Sequence, residues 1–286
     1  MKQIELKALA KINLGLDVLG RRENGYHDVR MVMQSIYLYD EVKLEKTAEP
    51  GITTVSNLSF LPTGDGNIAY KAARILQEEF QITEGIKITL NKHIPVAAGL
   101  AGGSSNAAAV LFGMNRMFRL GLSQKDLMDR GVRLGADVPY CIMRGTVLAE
   151  GIGEKLSVLP AMPKCTVLIA KPPVSVSTKV VYEALDAKEI TEHPDIDGII
   201  EGLKNNSLKQ VAACMGNVLE DVTVPMHPVN DQIKQERKSA GALNAMMSGS
   251  GPTVFGLFES RADAREAQRR IREKSLTRQV YVTSIH

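Results

Sequence analysis

Cysteine is scarce in this 286-residue chain: Cys141, Cys165 and Cys214 make an odd set with no C-x-x-C spacing. That speaks against a disulfide framework or a zinc ribbon and suits a reducing compartment. Long apolar runs are missing too. The longest, residues 107–112, falls well short of the roughly 20 residues that a membrane span needs. Near the start, Lys2, Glu5 and Lys7 interrupt any stretch that could serve as an export signal, so a cytoplasmic protein is expected. Nor is one sign of charge in excess. The formal net charge is +3, with 23% charged and 44% hydrophobic residues. This balance excludes bulk disorder and is too weak to imply nucleic-acid binding, but it is compatible with an anionic small-molecule substrate.

The common nucleotide and metal signatures are absent as well. No G-x-x-x-x-G-K-[ST] occurs, Gly249-Ser250-Gly251 continues as Pro252-Thr253-Val254 rather than completing G-x-G-x-x-G, and neither H-R-D nor D-F-G is found. These gaps argue against Walker-type, Rossmann and protein-kinase sites. His93, His193, His227 and His286 show no metal-ligand spacing, so no protein-held transition metal is expected.

What is present reads as about two domains, or one large one. Ile4, Leu6 and Ala8, then Val42 and Leu44, then Ile86, Ile88 and Leu90 alternate with polar residues, the period of strands with one buried face. The spacing predicts a helix over 68–80 behind Asn67 and a second one through Ala107, Leu111, Met114 and Phe118. A third opens at Ser123, with Asp126 three residues on, and stops near Gly135. A strand at 166–170 is broken by Lys171-Pro172-Pro173, which places a boundary in the 160–163 stretch, giving domains 1–160 and 161–286. The tail reads as helices, then strand 245–247, a glycine turn, strand 254–258, helix 261–273 and strand 280–283, the order of an α+β layer sandwich.

Between a strand and a helix lies Pro95, Val96, Ala97, Ala98, Gly99, Leu100, Ala101, Gly102, Gly103, Ser104, Ser105 and Asn106. Unpaired backbone N–H groups and a positive helix end in that position can receive phosphate, and glycine lets phosphate approach without meeting a Cβ. The serine hydroxyls can touch phosphate oxygens or the magnesium that accompanies ATP. A serine-capped connection would carry the same residues.

This loop, together with Ala8-Leu9-Ala10-Lys11-Ile12-Asn13-Leu14, Gly135-Ala136-Asp137-Val138-Pro139 and Ser248-Gly249-Ser250-Gly251-Pro252, resembles the GHMP kinases in order and spacing across nearly the whole chain. With Arg21-Arg22-Glu23-Asn24-Gly25-Tyr26-His27 added, the likeness is to those members whose substrate carries a cytidine diphosphate group and serves isoprenoid-precursor synthesis. The resemblance implies an α+β, two-domain fold: an N-terminal α/β nucleotide-binding domain and a C-terminal α/β sandwich. It also implies ATP as co-substrate, with Mg2+ carried on it, and transfer to a 2-hydroxyl. Mevalonate- and homoserine-type kinases, and a catalytically silent nucleotide-binding protein on the same fold, are the alternatives. One departure from the family is that Val96, Ala97, Ala98 and Ala101 stand where it usually carries more glycine, so ordinary dihedrals are expected there.

The resemblance also assigns roles. Asp137, on a turn between Gly135 and Pro139, is the general base. Lys11, just after the first strand in an apolar context, holds Asp137 ionised and stabilises charge on the transferring group. Asn13 orients this pair. Tyr26 and His27 follow the Asn24-Gly25 turn and lie against the cytosine, while Tyr182 stacks on its opposite face. For Tyr182, helical core packing beside Val181 and Leu185 competes with that role. Ser248, Gly249 and Gly251 form a second glycine turn, which a plain β-hairpin would also explain.

Overall fold

A computed structural model describes residues 1–188 and 190–286. In chain order the first elements are β1 (Gln3–Arg21), β2 (His27–Thr47), β3 (Ile52–Ser56), α1 (Ile68–Glu79), β4 (Gly85–Asn91), α2 (Gly102–Phe118), α3 (Gln124–Val132) and α4 (Asp137–Met143). They are followed by β5 (Thr146–Gly151), β6 (Lys155–Val158), β7 (Thr166–Lys171), α5 (Thr178–Leu185), α6 (Ile196–Lys204), α7 (Leu208–Cys214) and β8 (Gly216–Asn217). The last are α8 (Glu220–Met226), α9 (Val229–Ser239), β9 (Asn244–Met247), β10 (Val254–Phe258), α10 (Arg261–Glu273) and β11 (Gln279–Ser284).

Packing divides the chain into two compact units. One holds Met1–Ala10, Leu38–Val96 and Ala101–Arg144, and the other holds Lys11–Tyr37, Ala97–Leu100 and Gly145–His286. The boundary expected at 160/161 divides the sequence, whereas these units divide contacts. They interleave because β1 and β2, 19 and 21 residues long, each pass through both.

In the first unit, residues 41–47 of β2 pair antiparallel with β4, and β3 adds parallel to β4. Helix α1 starts where expected, with Asn67 Oδ1 accepting from the Ala69 N–H at 2.9 Å, and it buries Ala69, Ala72, Ala73 and Leu76. The anticipated start of α3 is a full capping box. The Asp126 N–H donates to Ser123 Oγ, and the Ser123 N–H donates back to Asp126 Oδ2, so two orphan donors are satisfied reciprocally.

In the second unit, β5 pairs antiparallel with residues 29–34 of β2, and β6 extends it. A separate four-stranded sheet runs β11-β7-β10-β9, antiparallel throughout. The five expected elements of the tail are all found, within a residue of their expected limits. Leu168, Phe258, Ala264 and Ile271 are among the wholly buried residues that join this sheet to α9 and α10, each large side chain contributing on the order of 1.5–3 kcal/mol.

One buried group works against that core. Arg237 of α9 is fully buried, and none of its three guanidinium nitrogens has a hydrogen-bond partner. Its stem crosses β10 at Gly256, where a Cβ would lie 3.1 Å from Arg237 Cδ. Desolvation pulls the guanidinium down to about 9, so the folded state carries the charge at a cost. That cost is fully present below pH 9 and fades as the pH rises through that value, because the unfolded chain then binds more protons than the folded one. Arg237→Met keeps most of the stem and removes the charge. The variant is expected to raise stability by about 1–4 kcal/mol at neutral pH, with the gain shrinking above pH 9. Urea unfolding at pH 7 and pH 10 checks both points, and a lowered midpoint at pH 7 would contradict them.

Candidate active site

In the first unit, the glycine-rich loop ends in α2, whose N-cap residue Ala101 has φ 56° and offers no side-chain cap. The N–H groups of the first turn therefore get no capping side chain, and the positive helix end is left for an anion. Gly103 is exposed, and a Cβ there would sit 3.4 Å from Ile68 Cδ1, an ordinary contact. Packing does not demand this glycine.

Beneath this turn lies a network that sequence reading missed. Asp40 of β2 is fully buried; its Oδ1 accepts from the His93 and Ile94 N–H groups at 2.7 and 2.8 Å, and its Oδ2 accepts from Asn106 Nδ2 at 2.9 Å and from the Lys92 ammonium. Lys92 Nζ also donates to Asn106 Oδ1 at 2.7 Å. One carboxylate thus ties the strand end that leads into the loop to the second turn of the helix that leaves it. Asp40 sits beside Glu41, Lys43 and Glu45, and that surrounding charge disguised it as part of a solvated face.

Asp137 was expected on a turn, but it is the first residue of α4. Pro139 falls within the first helical turn, where a missing N–H costs no hydrogen bond, so the segment that reads as a turn breaker starts a helix instead. Val138, Pro139, Tyr140 and Cys141 are buried and fix this short helix, leaving Asp137 half-buried at its positive end.

The alanines also differ from expectation. Ala97 and Ala101 adopt left-handed backbone, φ 50° and 56°, whereas Val96 and Ala98 do not. The loop shape imposes φ > 0 whatever residue occupies it, at a cost of about 1–2 kcal/mol for a residue with a Cβ. Ala101→Gly is therefore expected to stabilise the protein by about 1 kcal/mol, read as a raised urea midpoint.

In the second unit, Lys11 lies in the middle of β1 rather than after it, because β1 continues to Arg21. It is 5% exposed, so it is not an edge lysine, and its Nζ donates to Asn13 Oδ1 at 2.7 Å. Asn13, two residues on and on the same strand face, is fully buried and donates to Met31 Sδ at 3.5 Å. The Lys11 N–H donates to the Leu100 carbonyl, which fastens the glycine loop to β1. Gly99 has φ 71°, and a Cβ there would lie 2.1 Å from the Ser248 carbonyl oxygen. Only glycine permits this approach, and Ser248 Oγ reinforces it by donating to the Gly99 carbonyl at 3.0 Å.

The second glycine turn joins β9 to β10, and a cis peptide precedes Pro252. Other unforeseen side chains hold it. Asn217 Nδ2 donates to the Met247 and Gly249 carbonyls, both at 2.9 Å, and Thr178 Oγ1 lies 2.8 Å from Ser250 Oγ. Thr178 opens α5, the helix that carries Tyr182. In that helix Val181 and Leu185 take the buried positions, while Tyr182 is half-buried with its ring 4.8 Å from that of His27. Tyr26, on the turn between β1 and β2, is 61% exposed.

Two family descriptions match this chain, "GHMP kinases N terminal domain" over residues 67–145 and "GHMP kinases C terminal" over residues 199–275. A 4-diphosphocytidyl-2-C-methyl-D-erythritol kinase of Lachnospira eligens is 58% identical over 99% of this chain and 98% of its own length. One of Clostridium beijerinckii is 47% identical over 97% of this chain and all of its own. The chain belongs to the 4-diphosphocytidyl-2-C-methyl-D-erythritol kinase family. A crystal structure of a 4-(cytidine 5'-diphospho)-2C-methyl-D-erythritol kinase superposes with a TM-score of 0.85 at 30% identity, covering 99% of both chains. The homoserine kinase from Cytophaga hutchinsonii, 23% identical with a TM-score of 0.81 over 100% of this chain and 95% of its own, shares the fold. The 4-diphosphocytidyl-2-C-methyl-D-erythritol kinases are ATP-dependent small-molecule kinases on a mixed α+β GHMP scaffold, the fold class expected from the sequence.

Proposed function

We propose that this chain transfers the γ-phosphoryl group of ATP to the 2-hydroxyl of 4-diphosphocytidyl-2-C-methyl-D-erythritol, with Asp137 as general base and Lys11 as the charge-stabilising cation. The substrate oxygen bonds to the γ-phosphorus, the β–γ bridging P–O bond breaks, ADP leaves with the electron pair, and the hydroxyl proton passes to the Asp137 carboxylate. Such a transfer needs alignment and charge stabilisation more than covalent work by the protein. Lys11, held by Asn13, supplies positive charge that requires no reorganisation.

ATP phosphates would meet the residue 95–105 loop, the first-turn N–H groups of α2 and the Ser104 and Ser105 hydroxyls. A magnesium ion arriving on ATP would neutralise phosphate charge there; among the described residues no cluster of three or more His, Cys, Asp or Glu could hold a metal. In this reading residues 1–160 carry nucleotide binding and 161–286 the substrate side. In this reading the enzyme works in the cytoplasm; among the described residues no helix is long and apolar enough to cross a membrane.

The observation that supports the substrate assignment is the ring contact of His27 and Tyr182, 4.8 Å between centroids and so too close to admit a base between them, which leaves Tyr26, exposed on the preceding turn, as the ring for the other cytosine face. Mevalonate and homoserine carry no base for Tyr26 and Tyr182 to stack on or for His27 to pair with. ATP consumption measured with the cytidine diphospho substrate, mevalonate and homoserine in parallel tests the assignment, and turnover of either small acid in preference would overturn it. Tyr182→Ala is expected to raise KM for the cytidine substrate about tenfold or more, since base stacking on one aromatic is worth about 1–3 kcal/mol. KM for ATP should stay within twofold, and Tyr182→Phe should be close to neutral. A lowered urea midpoint with an unchanged cytidine KM would make Tyr182 a packing residue.

A further inference from the structure

We propose that Asp186 is a positioning residue that fixes the tautomer of His27 and so makes the site select cytosine over uracil; this rests on the cytidine reading above. Asp186 is the C-cap of α5, and its N–H donates to the Tyr182 carbonyl. Its two carboxylate oxygens reach the two ends of the β1–β2 hairpin. Oδ1 lies 2.6 Å from His27 Nε2, the first residue of β2, and Oδ2 lies 3.3 Å from Arg21 Nη1, the last of β1. One side chain therefore locks the helix bearing Tyr182 to the turn bearing Tyr26.

The Arg21 arm is 60% exposed and contributes little energy. The His27 arm is different, since that side chain is only 9% exposed. A carboxylate accepts hydrogen bonds and has no proton to give, so the imidazole proton must sit on Nε2. In the neutral ring this leaves Nδ1 as a lone-pair acceptor. The exocyclic amine of cytosine is a donor, while the carbonyl at the same position of uracil is an acceptor. An acceptor Nδ1 pairs with the first and repels the second. Nothing in the hydrogen-bonding capacity of His27 alone would enforce that choice, because a histidine without Asp186 can carry its proton on either nitrogen.

The test compares kcat/KM for 4-diphosphocytidyl-2-C-methyl-D-erythritol and its uridine analogue in the unmodified enzyme, Asp186→Asn and Tyr182→Ala. The asparagine amide can turn its NH2 toward Nε2 and release the tautomer. The cytidine-over-uridine ratio is expected to fall tenfold or more in Asp186→Asn, with KM for ATP within twofold. Imidazole 15N shifts of His27 should move from a protonated Nε2 toward a mixture. If Asp186→Asn keeps the ratio while Tyr182→Ala raises the cytidine KM, the tautomer proposal fails and the stacking reading stands. If the unmodified enzyme does not distinguish the two bases and Tyr182→Ala changes nothing, both fail. A lowered urea midpoint in Asp186→Asn with an unchanged ratio would reduce the Asp186 carboxylate to a brace between α5 and the hairpin and overturn the proposal.

Discussion

Asp137→Asn is expected to lower kcat by about 10²-fold or more while ATP still binds and the circular-dichroism spectrum is unchanged. Removal of a general base costs about 10²–10⁴ in rate. The exchange is close to isosteric, and the buried residues 138–141 that anchor α4 are untouched. Loss of the negative charge at the helix N-terminus should cost about 0.3–1 kcal/mol of stability, too little to unfold a domain. Lys11→Met should give a comparable loss by a different route, because it removes charge stabilisation and leaves the proton acceptor in place. Steady-state kinetics with isothermal titration of ATP separates chemistry from binding. Near-normal turnover in Asp137→Asn would remove this carboxylate from the mechanism.

The second large effect is on stability. Asp40→Ala leaves the Lys92 ammonium buried without its carboxylate, with only Asn106 Oδ1 in reach, and also strips the acceptor from the His93 and Ile94 N–H groups. Breaking a buried ion pair from one side costs about 3–5 kcal/mol. Urea unfolding measures this cost, and KM for ATP should rise along with it, since the ends of the residue 95–105 loop, proposed above to meet the ATP phosphates, are no longer tied together. The double variant Asp40→Leu with Lys92→Met removes both charges and should recover much of the stability. If the single and double variants unfold at the same midpoint, the network is not the anchor described above.

The sequence showed most of the fold wherever one face of an element meets water. Helix α1, the capping box of α3 and the strand-turn-strand-helix-strand tail all follow from alternation or three- and four-residue spacing together with a cap residue. Periodicity failed where both faces are covered. From Ala8 to Val18 every residue of β1 is buried, so the alternation seen at Ile4, Leu6 and Ala8 stops carrying information, and the strand runs on to Arg21 past Lys11, where the pattern reads as ended. The glycine loop was legible as a loop, but its left-handed alanines were not, because a favourable dihedral was inferred from the residue type while the surrounding chain dictated the shape. Asp40, Asn217 and Asp186 escaped for a shared reason. Each acts on a backbone or ring far away in sequence, and a lone acid or amide in a strand or at a helix end gives no spacing to read. Family likeness alone put His27 and Tyr182 against opposite faces of the cytosine; in the fold their rings lie 4.8 Å apart, in contact with each other.

The interleaving of the two units sets an order for synthesis. Residues 11–37 leave the ribosome early, yet the strands that cover them are Thr146–Gly151 and Gly216–Asn217, and Ile36 bridges to Ile285. At about 5–20 residues per second, the first of those partners follows roughly 5–20 s later. Through that interval a long apolar strand pair has unpaired backbone edges, the condition under which nascent chains pair with one another instead of with themselves. With Ile36 bridged to Ile285, this sheet closes only when synthesis is almost complete, whereas a protein built from two sequential domains would finish its first sheet with half the chain still to come.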